Sequence, residues 1–265
     1  MNKFIAVLYD TALEIKSSKI IYFYGALTVI TFLILSLAPQ FKIQGQDIIS
    51  EGIVSQDMMT TASGYFFKSF IEFFVLLMLF GTAWQIPGYL QKGRVELALS
   101  KPIPRPTLAS MKFISVFIVM SVILILGTVP IWIILSLRLG SFGTGFFGGL
   151  LFGMFDYLVL YGLIFSIGFL TRSGAVSIIA YFGLKVIAGL LGNREIIYPY
   201  IGDSIWRLAL DSLYHVLPKY SQFSDNYLSI LTGWELTNFY AVWTTVVFTA
   251  ALFALAVYVF NRRDF

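Results

Sequence analysis

The 265-residue sequence predicts an all-α integral membrane protein: six transmembrane helices, an amphipathic N-terminal helix, a short cytoplasmic helix between spans 2 and 3, and short outer amphipathic helices between spans 5 and 6. Three observations predict it. Hydrophobic residues make up 58% of the chain and charged residues 12%, about half the charged share of soluble domains, and mean hydropathy is +0.84. A bilayer core about 30 Å thick takes roughly 20 helical residues, and six apolar runs of that size occur, at about 20–38, 65–86, 113–137, 146–170, 175–192 and 239–260. The runs are continuous, without the two-residue alternation of barrel strands, so their backbone groups must be satisfied within helices. The whole chain, 1–265, reads as one transmembrane domain.

Within residues 1–18, Met1, Phe4, Ile5, Leu8, Ala12 and Ile15 share one helical face, opposite Lys3, Asp10, Glu14 and Ser17. That pattern predicts a helix lying in the membrane interface. Ser36-Leu37-Ala38 loosely fits a signal-cleavage site, but Pro39 follows it and Asp10 and Glu14 stand where a signal is basic, so the segment is expected to stay. Six spans put both termini on one side. With the termini inside, eleven basic residues are cytoplasmic and six (Lys42, Lys68, Arg138, Arg194, Arg207, Lys219) lie outside, with Lys185 in a span; the bias favours cytoplasmic termini.

Residues 39–64 form a polar outer loop too short for a domain. In the cytoplasmic segment 87–112, Pro87-Gly88 is expected to interrupt the helix leaving span 2, and Pro102, Pro104 and Pro106 to forbid helix through their stretch. One short helix fits between these breakers. It turns Leu90, Val95, Leu97, Ala98 and Leu99 to the bundle and Lys92, Arg94, Glu96 and Lys101 to water, which suits either a rigid lever between spans 2 and 3 or an ordinary amphipathic loop helix, the reading composition alone favours. In the outer region 193–238, Ile205, Trp206, Leu208, Ala209, Leu210, Leu213, Val216 and Leu217 form one face, with Asp203, Arg207, Asp211, Tyr214 and His215 opposite. This predicts an interfacial or re-entrant helix ended by Pro218. Trp206, Tyr214, Tyr220 and Trp234 suit an outer aromatic belt.

The chemical inventory is sparse. There is no cysteine and one histidine, His215, so thiolate, disulfide and most metal chemistry are excluded. No phosphate loop, Gly-x-Ser-x-Gly or His-Glu-x-x-His occurs, so no enzyme, cofactor or metal site is expected. The net charge of +4 comes from residues between apolar runs, a topology signal and no sign of nucleic-acid binding. Four charges fall in spans, each costing at least about 2.5 kcal/mol in hydrocarbon: Lys68, Glu72, Asp156 and Lys185. Lys68 and Glu72, four apart, are placed to pair. Asp156 and Lys185 lie at depths differing by about 6 Å, within reach of a lysine stem, and are expected to pair either as a lock between spans 4 and 5 or as part of a proton or ion path. Gly145, Gly149 and Gly153 recur every fourth residue, a seam for close helix approach within the chain or in a homodimer.

Gly93-Arg94-Val95-Glu96-Leu97-Ala98-Leu99-Ser100-Lys101-Pro102-Ile103-Pro104-Arg105, followed by Lys112, resembles the Gly-Thr-Leu-Glu-Leu-Leu-Leu-x-x-Pro-x-x-Arg…Gly-Lys stretch of type-2 ABC transporter permeases. Leu217-Pro218-Lys219 and the ending Phe260-Asn261-Arg262-Arg263-Asp264-Phe265 are similar to that family too. Gly93, Glu96, Pro102, Arg105 and Lys112 match; Arg94 replaces Thr, Met111 replaces Gly, and Gln91-Lys92 stand where acidic residues are frequent. The resemblance implies an N-terminal elbow helix, a coupling helix carrying Gln91, Lys92, Gly93, Arg94, Glu96, Lys101, Pro102 and Arg105, and a location in the bacterial cytoplasmic membrane. It also implies two partners: a separate ATP-binding-cassette subunit that holds ATP and magnesium, and a second permease, identical or related. A secondary transporter or channel and a non-transporting membrane scaffold are the rival readings.

Overall fold

Apolar side chains in unbroken runs leave the backbone no partner but itself, and the chain answers with helices. A computed structural model describes residues 3–17, 19–37, 42–43, 46–47, 56–90, 103–139, 142–200, 204–233 and 235–262. Its elements are α1 Lys3–Ser17, α2 Lys19–Leu37, α3 Gln56–Ala83, α4 Gln85–Tyr89, α5 Arg105–Leu139, α6 Gly145–Thr171, α7 Gly174–Gly192, α8 Arg194–Ile197, α9 Ser204–Val216, α10 Tyr220–Ser224, α11 Asn226–Gly233 and α12 Phe239–Arg262. A two-residue antiparallel pair, β1 Lys42–Ile43 with β2 Gln46–Asp47, lies between α2 and α3 in the chain. Five helices are long and apolar enough to cross a membrane: Thr61–Tyr89, Arg105–Arg138, Gly145–Thr171, Gly174–Gly192 and Phe239–Arg262. A sixth candidate joins α1 to α2 across a 65° bend. The chain is a multi-pass membrane protein of helical architecture.

Helix ends differ from expectation where proline was overweighted. The interruption after span 2 falls at Trp84, and Pro87 lies inside α4. Arg105 opens α5 with Pro106 as its second residue, two turns before the expected start of span 3. Both prolines sit in a first turn, where the missing N–H had no intrahelical acceptor to lose. Proline there starts a helix and does not forbid one.

Helix α6 is the centre of the bundle. It is buried around most of its circumference and packs against α3, α5, α7, α11 and α12. Small residues permit this: a Cβ on Gly162 would meet the Thr249 methyl at 2.7 Å, and one on Gly168 would meet Ile86 and the Ser177 hydroxyl at 3.1 Å. Between α5, α6 and α12, aromatic rings fill the remaining space, with Phe113 stacked on Tyr161 at 5.0 Å and against Phe253 at 4.8 Å. The α6–α7 turn closes with Arg172 in the left-handed region (φ 57°) and Ser173 capping α7 through Val176 N–H.

The bundle has two chemically distinct ends. At one, α1, α4, the start of α5, the Arg172 turn and the Phe260 end of α12 gather, Phe260 meeting Phe169 at 5.1 Å. At the other, the Arg138 guanidinium donates to the Ser36 carbonyl, α9 and α10 pack against both α7 and α12, and α11 packs against α3 and α6.

Candidate functional site

Three of the four charges predicted within spans meet at one cavity. Its volume is about 280 Å³, and its wall comes from α3 (Ser69, Glu72, Phe73, Val75, Leu76), α6 (Asp156, Leu160), α7 (Tyr181, Lys185) and α10 (Tyr220). Asp156 is buried and its Oδ2 accepts a hydrogen bond from the Tyr227 hydroxyl at 3.2 Å. Glu72 holds a buried Oε1 with no hydrogen-bond donor, and Lys185 is exposed at the rim. Tyr220 is 5% exposed; its hydroxyl and that of Thr249 neighbour each other without the geometry of a hydrogen bond. The expected direct pairs are therefore replaced. Neither Lys68 with Glu72 nor Asp156 with Lys185 forms an ion pair among the described residues. Tyr227 takes the place at Asp156 that Lys185 was expected to fill, because α11 enters the bundle beside α6 and reaches the carboxylate first.

That entry depends on the glycine seam. A Cβ on Gly145 would stand 1.8 Å from the Leu231 carbonyl oxygen, and one on Gly149 would stand 2.4 Å from Leu231 Cδ2. At Gly153 it would meet Ile71 Cγ2 at 2.6 Å and the Tyr227 hydroxyl at 3.3 Å. The seam is occupied by the chain's own α11 and α3, so of the two readings left open by sequence the intrachain one describes these glycines. Pro218, Lys219, Phe223, Asn226 and Ile230 are buried with α10 and α11. Asn226 fixes the return to α12, its Oδ1 accepting from Asn238 N–H at 2.9 Å and from the Thr237 hydroxyl at 3.2 Å. Tyr220, expected in an aromatic belt, is instead drawn into the cavity wall; Trp206 is exposed, and Trp234 lies outside the described residues.

At the opposite end, Lys112 is only 4% exposed. Its ammonium donates to Glu14 Oε2 at 2.6 Å and to the Thr11 hydroxyl at 3.1 Å, and lies 5.4 Å from the Tyr89 ring centre. One lysine thus ties α1, α4 and α5 together. Sequence reasoning placed Glu14 on a polar face with Lys3, Asp10 and Ser17; those three are exposed, and Glu14 alone is drawn toward the buried ammonium, since a buried charge needs a counter-ion. Of the expected coupling residues, Arg105 opens α5. Gln91, Lys92, Gly93, Arg94, Glu96, Lys101 and Pro102 lie outside the described residues, as do Arg263, Asp264 and Phe265.

The end of the bundle that carries α9 has its own polar knot. Asp211 on α9 accepts from Arg194 Nε at 2.9 Å and from the Tyr198 hydroxyl. The hydrogen bonds from Tyr198 and then Arg194 hold its carboxyl below the usual range. Lys219 rests on the Tyr214 and Tyr240 rings at 4.5 and 4.7 Å and donates to the Thr244 hydroxyl at 3.2 Å; burial pushes its ammonium below the ordinary lysine range, with Arg194 adding to the shift. While this polar side of α9 grips the protein, Ile205, Trp206, Leu208 and Val216 are each 66% exposed or more. An apolar face turned outward between two membrane helices fits lipid contact. Among the described residues, no three His, Cys, Asp or Glu gather at metal-binding spacing. Comparison with known proteins finds no matching family model and no matching curated protein.

Proposed function

We propose that this chain is the membrane-spanning permease subunit of an ATP-driven ABC exporter of the type-2 class, in a bacterial cytoplasmic membrane with both termini inside. The observation that carries the reading is the residue pattern Gly93-x-x-Glu96…Pro102-x-x-Arg105…Lys112 in a segment joining two membrane helices. The anchoring of that segment supports it. Residue 90 is buried on one side, Arg105 starts a 35-residue helix on the other, and Lys112 binds both flanks to α1. A push delivered between residues 91 and 102 therefore reaches α3, α5 and α1 together, because packed helices move as rigid bodies. Nucleotide chemistry belongs to a separate ATPase subunit that binds ATP and magnesium, and a second permease completes the complex. The chain contributes motion and no catalytic group.

Purification of the chain from its native membrane in mild detergent tests this. The expected result is a stoichiometric complex, stable in detergent, whose cross-links map to residues 91–105. A permease that purifies without any ATPase, and whose transport in vesicles ignores ATP, overturns it. The cavity at Glu72, Asp156 and Lys185 favours a second reading, an ion-coupled carrier. Under that reading an ion gradient alone, without ATP, drives transport in the same vesicles.

A further inference from the structure

We propose that the Glu72–Asp156–Lys185 cavity is a proton-binding site that holds one exchangeable proton per chain at neutral pH. The argument starts from charge. Two carboxyls and one ammonium line the same small space, from three different helices. Fully ionised, the lining carries one net negative charge, and in low-dielectric surroundings an unbalanced charge is the costly state. Beyond the wall, Lys68 acts on Glu72 more strongly than Lys185 does and Asp225 opposes it more weakly; neither acts on Asp156, so the imbalance rests on the buried Asp156 carboxyl. Tyr181, Tyr220 and Tyr227 are the remaining titratable groups facing the two carboxyls, and neutral phenols leave it unchanged.

The hydrogen bonds point the same way. Tyr227 serves one oxygen of Asp156, whereas Glu72 Oε1 is buried without a donor and the Tyr220 hydroxyl, in the same wall, is without a proper partner. An acceptor lacking a donor and a hydroxyl lacking an acceptor, both on the wall of a cavity that opens beside Lys185, mark a place where a mobile proton and a few waters complete the bonding. Size limits the alternatives. About 280 Å³ accommodates several waters at about 30 Å³ each and sits at the small end of the roughly 300–1,000 Å³ of sites for drug-sized ligands, so water and a proton fill it without a larger ligand. The two carboxyls titrate as a coupled pair, and the proton, taken from water, belongs to the pair. The proposal stands whether transport is driven by ATP or by an ion gradient.

Infrared difference spectroscopy of the full chain in lipid nanodiscs tests it. Exposed carboxyls are ionised at pH 7, so the protonated-carboxyl C=O stretch, identified by its shift in D₂O, reports buried acids. The wild type should show one such carboxyl per chain at pH 7, lost on alkaline titration and independent of sodium concentration. Charge balance then predicts a distinctive series. Glu72→Gln and Asp156→Asn each leave one carboxylate opposite Lys185, and each abolishes the band; Asp156→Asn keeps an oxygen to accept from Tyr227. Lys185→Met doubles the band. If Lys185→Met does not fold, Lys185→Gln carries the same prediction, and the two amide variants stand without either. A wild-type spectrum without the band, a band surviving in the Glu72→Gln/Asp156→Asn double variant, or a band that sodium removes at fixed pH overturns the proposal. Retention or loss of the ATPase subunit is read separately, on the copurification gel.

Discussion

Single residues decide whether charge in this membrane protein is an expense or a tool. Lys112 is the clearest case, at the end of the bundle where α1, α4 and α5 meet, with Glu14 and Thr11 as its partners. Removing one member of a buried pair strands the other, which costs about 3–5 kcal/mol when both are deeply buried. Glu14 is about a quarter exposed at its side chain, so Glu14→Ala should cost less, about 2 kcal/mol. The Glu14→Ala/Lys112→Met double variant should be more stable than the sum of the single losses implies; thermal unfolding in detergent measures the coupling. Asp211 behaves differently because it is solvated. Its folded-state carboxyl sits below the unfolded value, held there first by Tyr198 and then by Arg194. Its contribution is therefore full above the unfolded aspartate value of about 3.9 and disappears as pH falls through the folded value. Limited proteolysis of 193–216 should show protection that is flat from pH 7 to about pH 4 and fails below, and Asp211→Asn should remove the step. Lys112 was legible as a motif residue, but its counter-ion was not, since Glu14 is 98 positions away.

Among the elements, the glycine seam of α6 and the pair α10–α11 depend on each other. Gly145 faces the Leu231 backbone and Gly149 faces the Leu231 side chain. An added methyl has to displace main chain in the first case and a flexible side-chain end in the second. Gly145→Ala should cost about 1–3 kcal/mol and Gly149→Ala less. Leu231→Ala should rescue Gly149→Ala and leave Gly145→Ala unrescued, as read by thermal unfolding of the four variants. Spacing alone showed that something packs closely on this face. It did not show what, because a four-residue glycine repeat describes one side of a contact. The spans after α5 were legible nearly to the residue, since hydropathy changes sharply where helix meets water. The starts of α4 and α5 were not, because proline disfavours helix interiors but is welcome in first turns.

For the molecule as a whole, the proposed drive enters at residues 91–102 and is passed on through helices clamped by Lys112. Glu96→Lys is expected to lower the amount of copurifying ATPase at least several-fold while the permease keeps its thermal unfolding temperature; equal loss of both would assign Glu96 to folding instead of docking. Sequence by itself determined that the chain crosses a membrane several times as helices, where five of the crossings run, and which charges must be accommodated in lipid. These follow from hydropathy and the backbone's need for hydrogen bonds, both local in the chain. Only the tertiary structure decided that Glu72, Asp156 and Lys185 share one cavity, that Tyr227 and not Lys185 reaches Asp156, and that α11 fills the glycine seam. Each of those depends on how deeply α10 and α11 pack between the long helices, and that depth is set by packing among residues far apart in sequence.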